Sequence, residues 1–286
     1  MFTQVWKRSF HAAQWRIDRS KYRWAVRWAQ TKVTLRWLFR RSRRLHGCGV
    51  PVIVSLTSYP PRFPTLGLTL KCLLTQSVRP DKVVLWIADA DMAQLPVEVS
   101  ALQSAGLQIR TTRDIGSYKK IIPALREFPG ACIVTADDDA YYCADWLREL
   151  LEGWTGERDM VVCHRAHVIR YDKLGQLLPY REWRFDVEDR GEIPGLFPTS
   201  GAGVLYPNGV FSKDVIDEKT FLSICPRADD IWLYWMTSRA GARFKAIGRH
   251  RKLICWAGSQ EVALFHENIR GGNDVQLMSL IKKYGR

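Results

Sequence analysis

The sequence predicts an α/β protein built on a mostly parallel sheet, and three observations carry that expectation. Short β-branched runs alternate with helical segments through residues 50–150, the pattern of a parallel sheet covered on both faces. The chain has 286 residues, 47% of them apolar, enough for one large core. The basic charge is segregated at one end, so the body can be read by itself.

That segregation defines the first element, an arm over residues 1–46. Residues 1–45 hold 13 Lys and Arg and one acid, Asp18; the remainder holds 30 basic and 28 acidic residues. The net charge of +14 therefore belongs to the arm, and the body is nearly neutral. Five of the 12 tryptophans also lie there: Trp6, Trp15, Trp24, Trp28 and Trp37. Trp24, Trp28, Leu35, Leu38 and Phe39 fall near helical spacing with Arg and Lys between them. Tryptophan favours the headgroup layer of a bilayer and Lys/Arg favour anionic lipid, so an amphipathic helix lying on a membrane surface is expected. A helix packed on the body or on a partner fits the same pattern. So does stacking of Trp and Arg on nucleic acid bases. Arg40 to Arg44, then Gly47 and Gly49, mark a linker to a domain over residues 47–286.

The body opens with an apolar run that ends in Ser55-Leu56-Thr57-Ser58, a buried strand entering a loop. Tyr59-Pro60-Pro61-Arg62 stops it, because proline cannot donate to the ladder. A helix over 64–77, a strand over 81–88, a helix over 95–105 and a strand over 107–111 follow. Residues 117–126 read as helix and 131–136 as strand. Beyond 150, strands are expected near 159–164 and 243–247 and helices near 229–240 and 274–286. Residues 171–200 show little periodicity. The seven cysteines are odd in number and contain no CxxC pair, which disfavours a zinc ribbon or a disulfide framework and suits a reducing compartment. No apolar run is long enough for a transmembrane helix, and Trp and Arg interrupt any signal-peptide core.

The candidate chemistry begins at Asp137-Asp138-Asp139, directly after an apolar strand. Ligands bind at the carboxyl ends of strands in open α/β sheets. Three crowded carboxylates repel, and a divalent cation, Mn²⁺ or Mg²⁺, is a natural compensation; a solvated acidic loop is the simpler alternative. Asp114-Ile115-Gly116-Ser117-Tyr118-Lys119-Lys120 places an acid, a glycine turn and two lysines at a helix start. Asp114 could meet a base or ribose, and Lys119 or Lys120 a phosphate. Gly201 and Gly203, in Thr199-Ser200-Gly201-Ala202-Gly203, would let the backbone approach a ligand closely, although a plain bulge reads the same. Asp229 and Asp230 open an apolar helix, where they serve either as caps or as a base facing an acceptor hydroxyl. His266 ends a later apolar stretch and could reach a metal or phosphate.

Taken in order, these motifs resemble those of GT-A glycosyltransferases, similar to bacterial family-2-like enzymes of surface-polysaccharide assembly. The resemblance covers about residues 50–270. It sets Asp137-Asp138-Asp139 against the DxD motif, Gly201-Ala202-Gly203 against the glycine loop, Asp229-Asp230 against the acidic pair and His266 against the C-terminal histidine. Ser55 and Thr57, at the end of the opening strand, match the family's nucleotide-binding start. The pair here is Asp-Asp where Glu-Asp is commoner. Residues 165–200 match no part of the pattern.

What the resemblance implies is a GT-A fold, with a Rossmann-like, mostly parallel sheet and flanking helices, carrying a basic helical arm. It implies inverting, metal-dependent transfer from a nucleotide sugar, UDP-sugar favoured, to a hydroxyl of a glycan or lipid-linked glycan. Asp137 and Asp138 would contact the donor, and Asp139, Asp137 and His266 would hold Mn²⁺ or Mg²⁺. Asp230, next to Asp229, would act as base. Tyr180 and Trp183 are either sugar-stacking or packing residues. The arm would hold the enzyme on the inner face of the cell membrane, with no nucleic acid partner. Clustered aspartates also suit a metal-dependent phosphoesterase or nucleotidyltransferase, although two-metal sites need more converging ligands. The basic arm alone suits a nucleic-acid-binding protein, which the near-neutral body disfavours. Donor sugar, acceptor, linkage and oligomeric state are not legible in the sequence.

Overall fold

A computed structural model describes residues 2–40, 44–259 and 271–285, with side chains from residue 20 onward. His266 lies outside the described residues. The central sheet contains β1 (Val52–Thr57), β2 (Lys82–Ala88), β3 (Leu107–Thr112), β4 (Cys132–Thr135), β5 (Met160–Cys163), β6 (Gly191–Glu192), β7 (Val204–Tyr206) and β8 (Arg243–Ala246). Their spatial order is β3-β2-β1-β4-β7-β5-β8-β6. The first four are mutually parallel, and β5 runs parallel to β8. β7 enters antiparallel between β4 and β5, and β6 is antiparallel at the edge.

The strands read as continuous apolar runs because both faces are covered. Alternate residues serve opposite layers: Ile53, Val84 and Trp86 face one core, while Val52, Val54, Leu56, Leu85 and Ile87 face the other. The helices are α1 (Phe2–Leu38), α2 (Phe63–Leu74), α3 (Val97–Ser100), α4 (Ile122–Glu127), α5 (Trp146–Gly153), α6 (Glu218–Ile224), α7 (Asp229–Ser238) and α8 (Asn273–Tyr284). α4, α6, α7 and α8 contribute to the first core, α1, α2 and α5 to the second.

Two expected helices break up. The 95–105 segment is the single turn α3 followed by a 3₁₀ stretch over Ala101–Ala105, ended by Gly106 at φ +100°. The 117–126 segment begins as a 3₁₀ turn over Gly116–Lys120, and Pro123 then occupies the first turn of α4. Proline is tolerated there because first-turn N–H groups lack helical partners anyway. Inside the unpatterned 165–200 stretch, Ala166–Val168 pairs antiparallel with Leu196–Pro198. No cysteine is in a disulfide; Cys72, Cys132, Cys163 and Cys225 are buried.

α1 is two-faced along the part whose side chains are described. Val26, Ala29 and Val33, spaced by three and four residues, are 5%, 0% and 0% exposed and join the core beside α2. Trp24, Trp28, Leu35, Leu38 and Phe39 are exposed. The packed-helix and amphipathic readings of this segment thus apply to opposite faces of one helix. Val33→Asp should destabilise the protein by about 3 kcal/mol, the cost of an unpaired polar group in an apolar layer. Denaturant unfolding measures it, and an unshifted midpoint would show that α1 is not part of the folded unit.

Candidate active site

Four segments meet at the carboxyl edge of the parallel strands, and the sheet register brings them together. Ser55 on β1 and Val204 on β7 both lie opposite Thr135 on β4. The turn after β1, the acidic turn after β4 and the glycine loop before β7 are therefore neighbours. α7 adds its N-terminus, carrying Asp229 and Asp230.

Lys120 joins these pieces. It is 4% exposed, and its Nζ lies 2.8 Å from Asp137 Oδ1, 2.9 Å from Asp229 Oδ2 and 2.7 Å from Ser200 Oγ. Ser200 in turn donates from its hydroxyl (2.5 Å) and its backbone N–H (3.0 Å) to Asp230 Oδ1. A continuous polar path thus runs from the acidic turn to the acidic pair. Burial would lower the Lys120 pKa, but Asp137, Asp229 and Asp230 outweigh it and hold the ammonium well above its ordinary value. Burial, reinforced by Asp229 and opposed by Lys120 and Ser200, raises Asp230 to about 6.

The rest of the acidic turn is compensated by Arg62, a 9% exposed residue in the Pro60–Arg62 turn. Its guanidinium pairs with Asp139 and lies 3.6 Å from Asp138 Oδ1. Ser58 donates to Asp138 Oδ2 at 2.5 Å. Burial pushes Asp138 up to about 7 and also raises Asp139. The crowding of acids that called for a divalent cation is thus met in part by cations of the chain itself. Among the described residues no group of three His, Cys, Asp or Glu side chains could hold a metal ion. Five carboxyls face Arg62 and Lys120, which leaves positive charge in deficit. Of the expected metal ligands, Asp139 is paired with Arg62 and Asp137 with Lys120, and the third, His266, is outside the described residues.

The glycine loop is fixed by sterics. Gly203 adopts φ +108°, and a Cβ there would lie 2.4 Å from Trp146 Nε1. That indole donates to Ala202 O at 2.7 Å. A Cβ on Gly201 would lie 3.0 Å from Asp137 Oδ2, so glycine lets the loop close on the acidic turn. Tyr142 ties the two together, donating to Gly201 O (2.9 Å) and accepting from Asp137 N–H (2.8 Å).

Other expected residues are placed differently. Ser55 is fully buried, its hydroxyl donating to Lys120 O and accepting from Trp86 Nε1, so it braces the sheet and cannot touch a nucleotide. Thr57 donates to Trp86 O at 2.8 Å. Lys119 is tied at 2.5 Å to Asp114, whose carboxyl it holds below its usual range. Lys120 is likewise engaged by acids, where an open phosphate ligand was expected. Tyr180 and Trp183 are packing residues, 7% and 4% exposed within an aromatic group that includes Phe197. Arg62, Ser200 and Tyr142 were not singled out from the sequence. Only Ser200, beside the glycines, carried a local signal.

No protein-family model matches the chain, and no curated protein matches it. Solved structures do. Residues 1–349 of S. aureus TarS, in complex with UDP, align with a TM-score of 0.50 at 13% identity, over 81% of this chain and 65% of that one. The chain thus spans somewhat less than two thirds of the TarS structure. The 4-diphosphocytidyl-2C-methyl-D-erythritol synthase of Anaerococcus prevotii gives 0.46 at 13% identity, over 78% and 98%. Glucosyl-3-phosphoglycerate synthase from Mycobacterium tuberculosis, with Mn²⁺, UDP and phosphoglyceric acid, gives 0.32 at 15%, over 44% and 48%. The TarS likeness establishes the fold, and the two lower scores add nothing to it. The architecture is the GT-A fold, a mixed α/β unit with a mostly parallel sheet between helices and an N-terminal helix in addition.

Gly203→Ala should cost roughly 2–4 kcal/mol, combining an unfavourable φ with overlap on Trp146. Thermal unfolding of the variant measures this; a midpoint equal to wild type would mean that the loop can be rebuilt around a Cβ.

Proposed function

We propose that the protein is an inverting glycosyltransferase that takes a sugar from a nucleotide-sugar donor, UDP-sugar favoured, and delivers it to a hydroxyl of a glycan or lipid-linked glycan in surface-polysaccharide synthesis. The observation that carries this reading is the path Asp137–Lys120–Ser200–Asp230. It joins an acidic turn to a separately held carboxylate in one polar cluster at the carboxyl edge of the sheet. Such an edge is where α/β proteins bind nucleotides. Asp137, with a side chain 36% exposed, is the open member of the turn and faces the donor beside Gly201.

Asp230 is the base. Asp229 is committed to Lys120, whereas Asp230 is held by neutral Ser200 donors and carries a raised pKa, the condition for accepting a proton near neutrality. The acceptor oxygen forms a bond to the anomeric carbon as its proton passes to Asp230. The bond from that carbon to the phosphate oxygen breaks, and the nucleoside diphosphate leaves with the electron pair. A single displacement inverts the anomeric centre. Lys120, through Ser200, sets the direction of the Asp230 carboxylate. Expected cofactors remain Mn²⁺ or Mg²⁺, but no step here depends on an ion the described residues do not gather.

The exposed face of α1 supports an anionic membrane surface as a partner. Trp24, Trp28, Leu35, Leu38 and Phe39 lie beside exposed Arg23, Arg27, Lys32 and Arg40, and Lys32 sits 3.7 Å from the centre of the Trp28 ring. Apolar rings among cations match headgroup and acidic lipid together. None of the described helices is long and apolar enough to cross a membrane. The proposal is a catalytic domain over residues 47–286 carried at the inner membrane face by residues 1–46, near a lipid-linked acceptor.

A screen of nucleotide sugars scored by released nucleoside diphosphate tests the reaction; no release from any donor would refute it. Asp230→Asn should lower turnover about 10²–10⁴-fold, the usual contribution of a general base. Because the base must be deprotonated, kcat/KM should rise with pH through about 6 and fall below it. A flat profile from pH 5 to 8 would remove Asp230 from that role. The double variant Trp24→Ala/Trp28→Ala should lose flotation with vesicles containing phosphatidylglycerol, and flotation equal to wild type would remove the membrane proposal.

A further inference from the structure

α1 reaches the surroundings of the acidic turn at two points, Tyr22 in mid-helix and Arg36 near its C-terminal end. The Tyr22 hydroxyl donates to the carbonyl of Cys255 (3.1 Å) and accepts from its N–H (3.0 Å). Cys255 pairs with Ala140 in an isolated antiparallel bridge. On either side of that bridge, Tyr141 N–H donates to Ile254 O and Trp256 N–H donates to Asp139 O, each at 2.9 Å. The segment over residues 254–256 is thus a splint along the outer side of the turn, and Tyr22 grips its middle residue.

The second contact lies about two helical turns beyond Ala29, the middle of the buried stripe. Arg36 Nη2 donates to the carbonyl of Tyr142 at 2.9 Å. Tyr142 is the residue whose hydroxyl ties Asp137 N–H to Gly201 O. Between Tyr22 and Arg36, the buried Val26, Ala29 and Val33 fix the helix to the body. Three adjacent carboxylates repel, and a turn carrying them needs restraint from outside to keep one arrangement.

We infer that Tyr22 and Arg36 are positioning residues for the acidic turn, so that α1 forms part of the donor site besides carrying the exposed aromatic face. Its consequence for kinetics rests on the glycosyltransferase reading; its consequence for the turn itself does not. α1 then has two working faces. The one with Trp24 and Trp28 looks outward, and the other, through Tyr22 and Arg36, sets the separation of Asp137 and Asp139 from the sheet edge.

The test uses the full chain with Tyr22→Phe, Arg36→Met and Arg36→Lys. Backbone hydrogen exchange is followed at residues 137–142 and 254–256, with β1 and β2 as an internal reference. Loss of one hydrogen bond should speed exchange in these two segments about 3–10-fold, while the reference strands stay as in wild type. The donor KM should rise by a similar factor with kcat nearly unchanged, and Arg36→Lys should recover part of the loss. Unchanged exchange at the turn in both Tyr22→Phe and Arg36→Met would overturn the inference. So would a uniform increase that includes β1 and β2, since that reports only lower global stability. If the wild-type chain turns over no nucleotide sugar, the functional reading fails by itself, and the exchange pattern still decides the role of α1.

Discussion

One buried ammonium holds the site in its present form. Lys120 is surrounded by Asp137, Asp229 and Ser200, and Asp230 is one hydroxyl further away. Charges removed from water are costly, and those costs are offset only when partners and hydrogen bonds are close and well directed. Breaking such a buried pair typically costs about 3–5 kcal/mol, because the remaining charge has no water to turn to. Two elements depend on this point: the acidic turn, through Asp137, and the α7 N-terminus, through Asp229. Arg62 repeats the arrangement on a smaller scale for Asp138 and Asp139.

Around that electrostatic centre the backbone has little freedom. β7 is inserted antiparallel between β4 and β5, and this delivers Gly201-Ala202-Gly203 to the edge where β4 releases its acids. Trp146 occupies the space a side chain on Gly203 would need. Tyr142 then fastens loop to turn through the main-chain atoms of Asp137 and Gly201, so the contact does not depend on the carboxylate side chains. The resulting cluster combines a constrained backbone with carboxyls, Asp138, Asp139 and Asp230, whose pKa values are raised by burial, a combination characteristic of sites that move protons.

The N-terminal helix changes character along its circumference. A segment that reads as a basic arm packs Val26, Ala29 and Val33 into the same layer as α2. The exposed aromatic and basic residues occupy the remaining face. Composition could not separate the two, because tryptophan and arginine suit both a lipid surface and a protein groove.

The sequence by itself determined the alternation of strands and helices, the α/β class, and the four polar clusters at the ends of apolar runs. These are local signals, set by period, turn chemistry and breakers, and they survive without knowledge of neighbours. Boundaries shifted where a local rule met a packing demand, as at Pro123 and Gly106. Only the tertiary structure decided which residues compensate the acids. Arg62 lies 77 residues from Asp139 and Lys120 lies 17 residues from Asp137 in the chain, and nothing in the surroundings of either marks it as a partner of these acids. It also decided that Ser55 serves the core, that Tyr180 and Trp183 pack inside, and that β7 runs against its neighbours. Charge pairing and strand direction are settled by what lies across a gap in space, and a linear sequence does not record that distance.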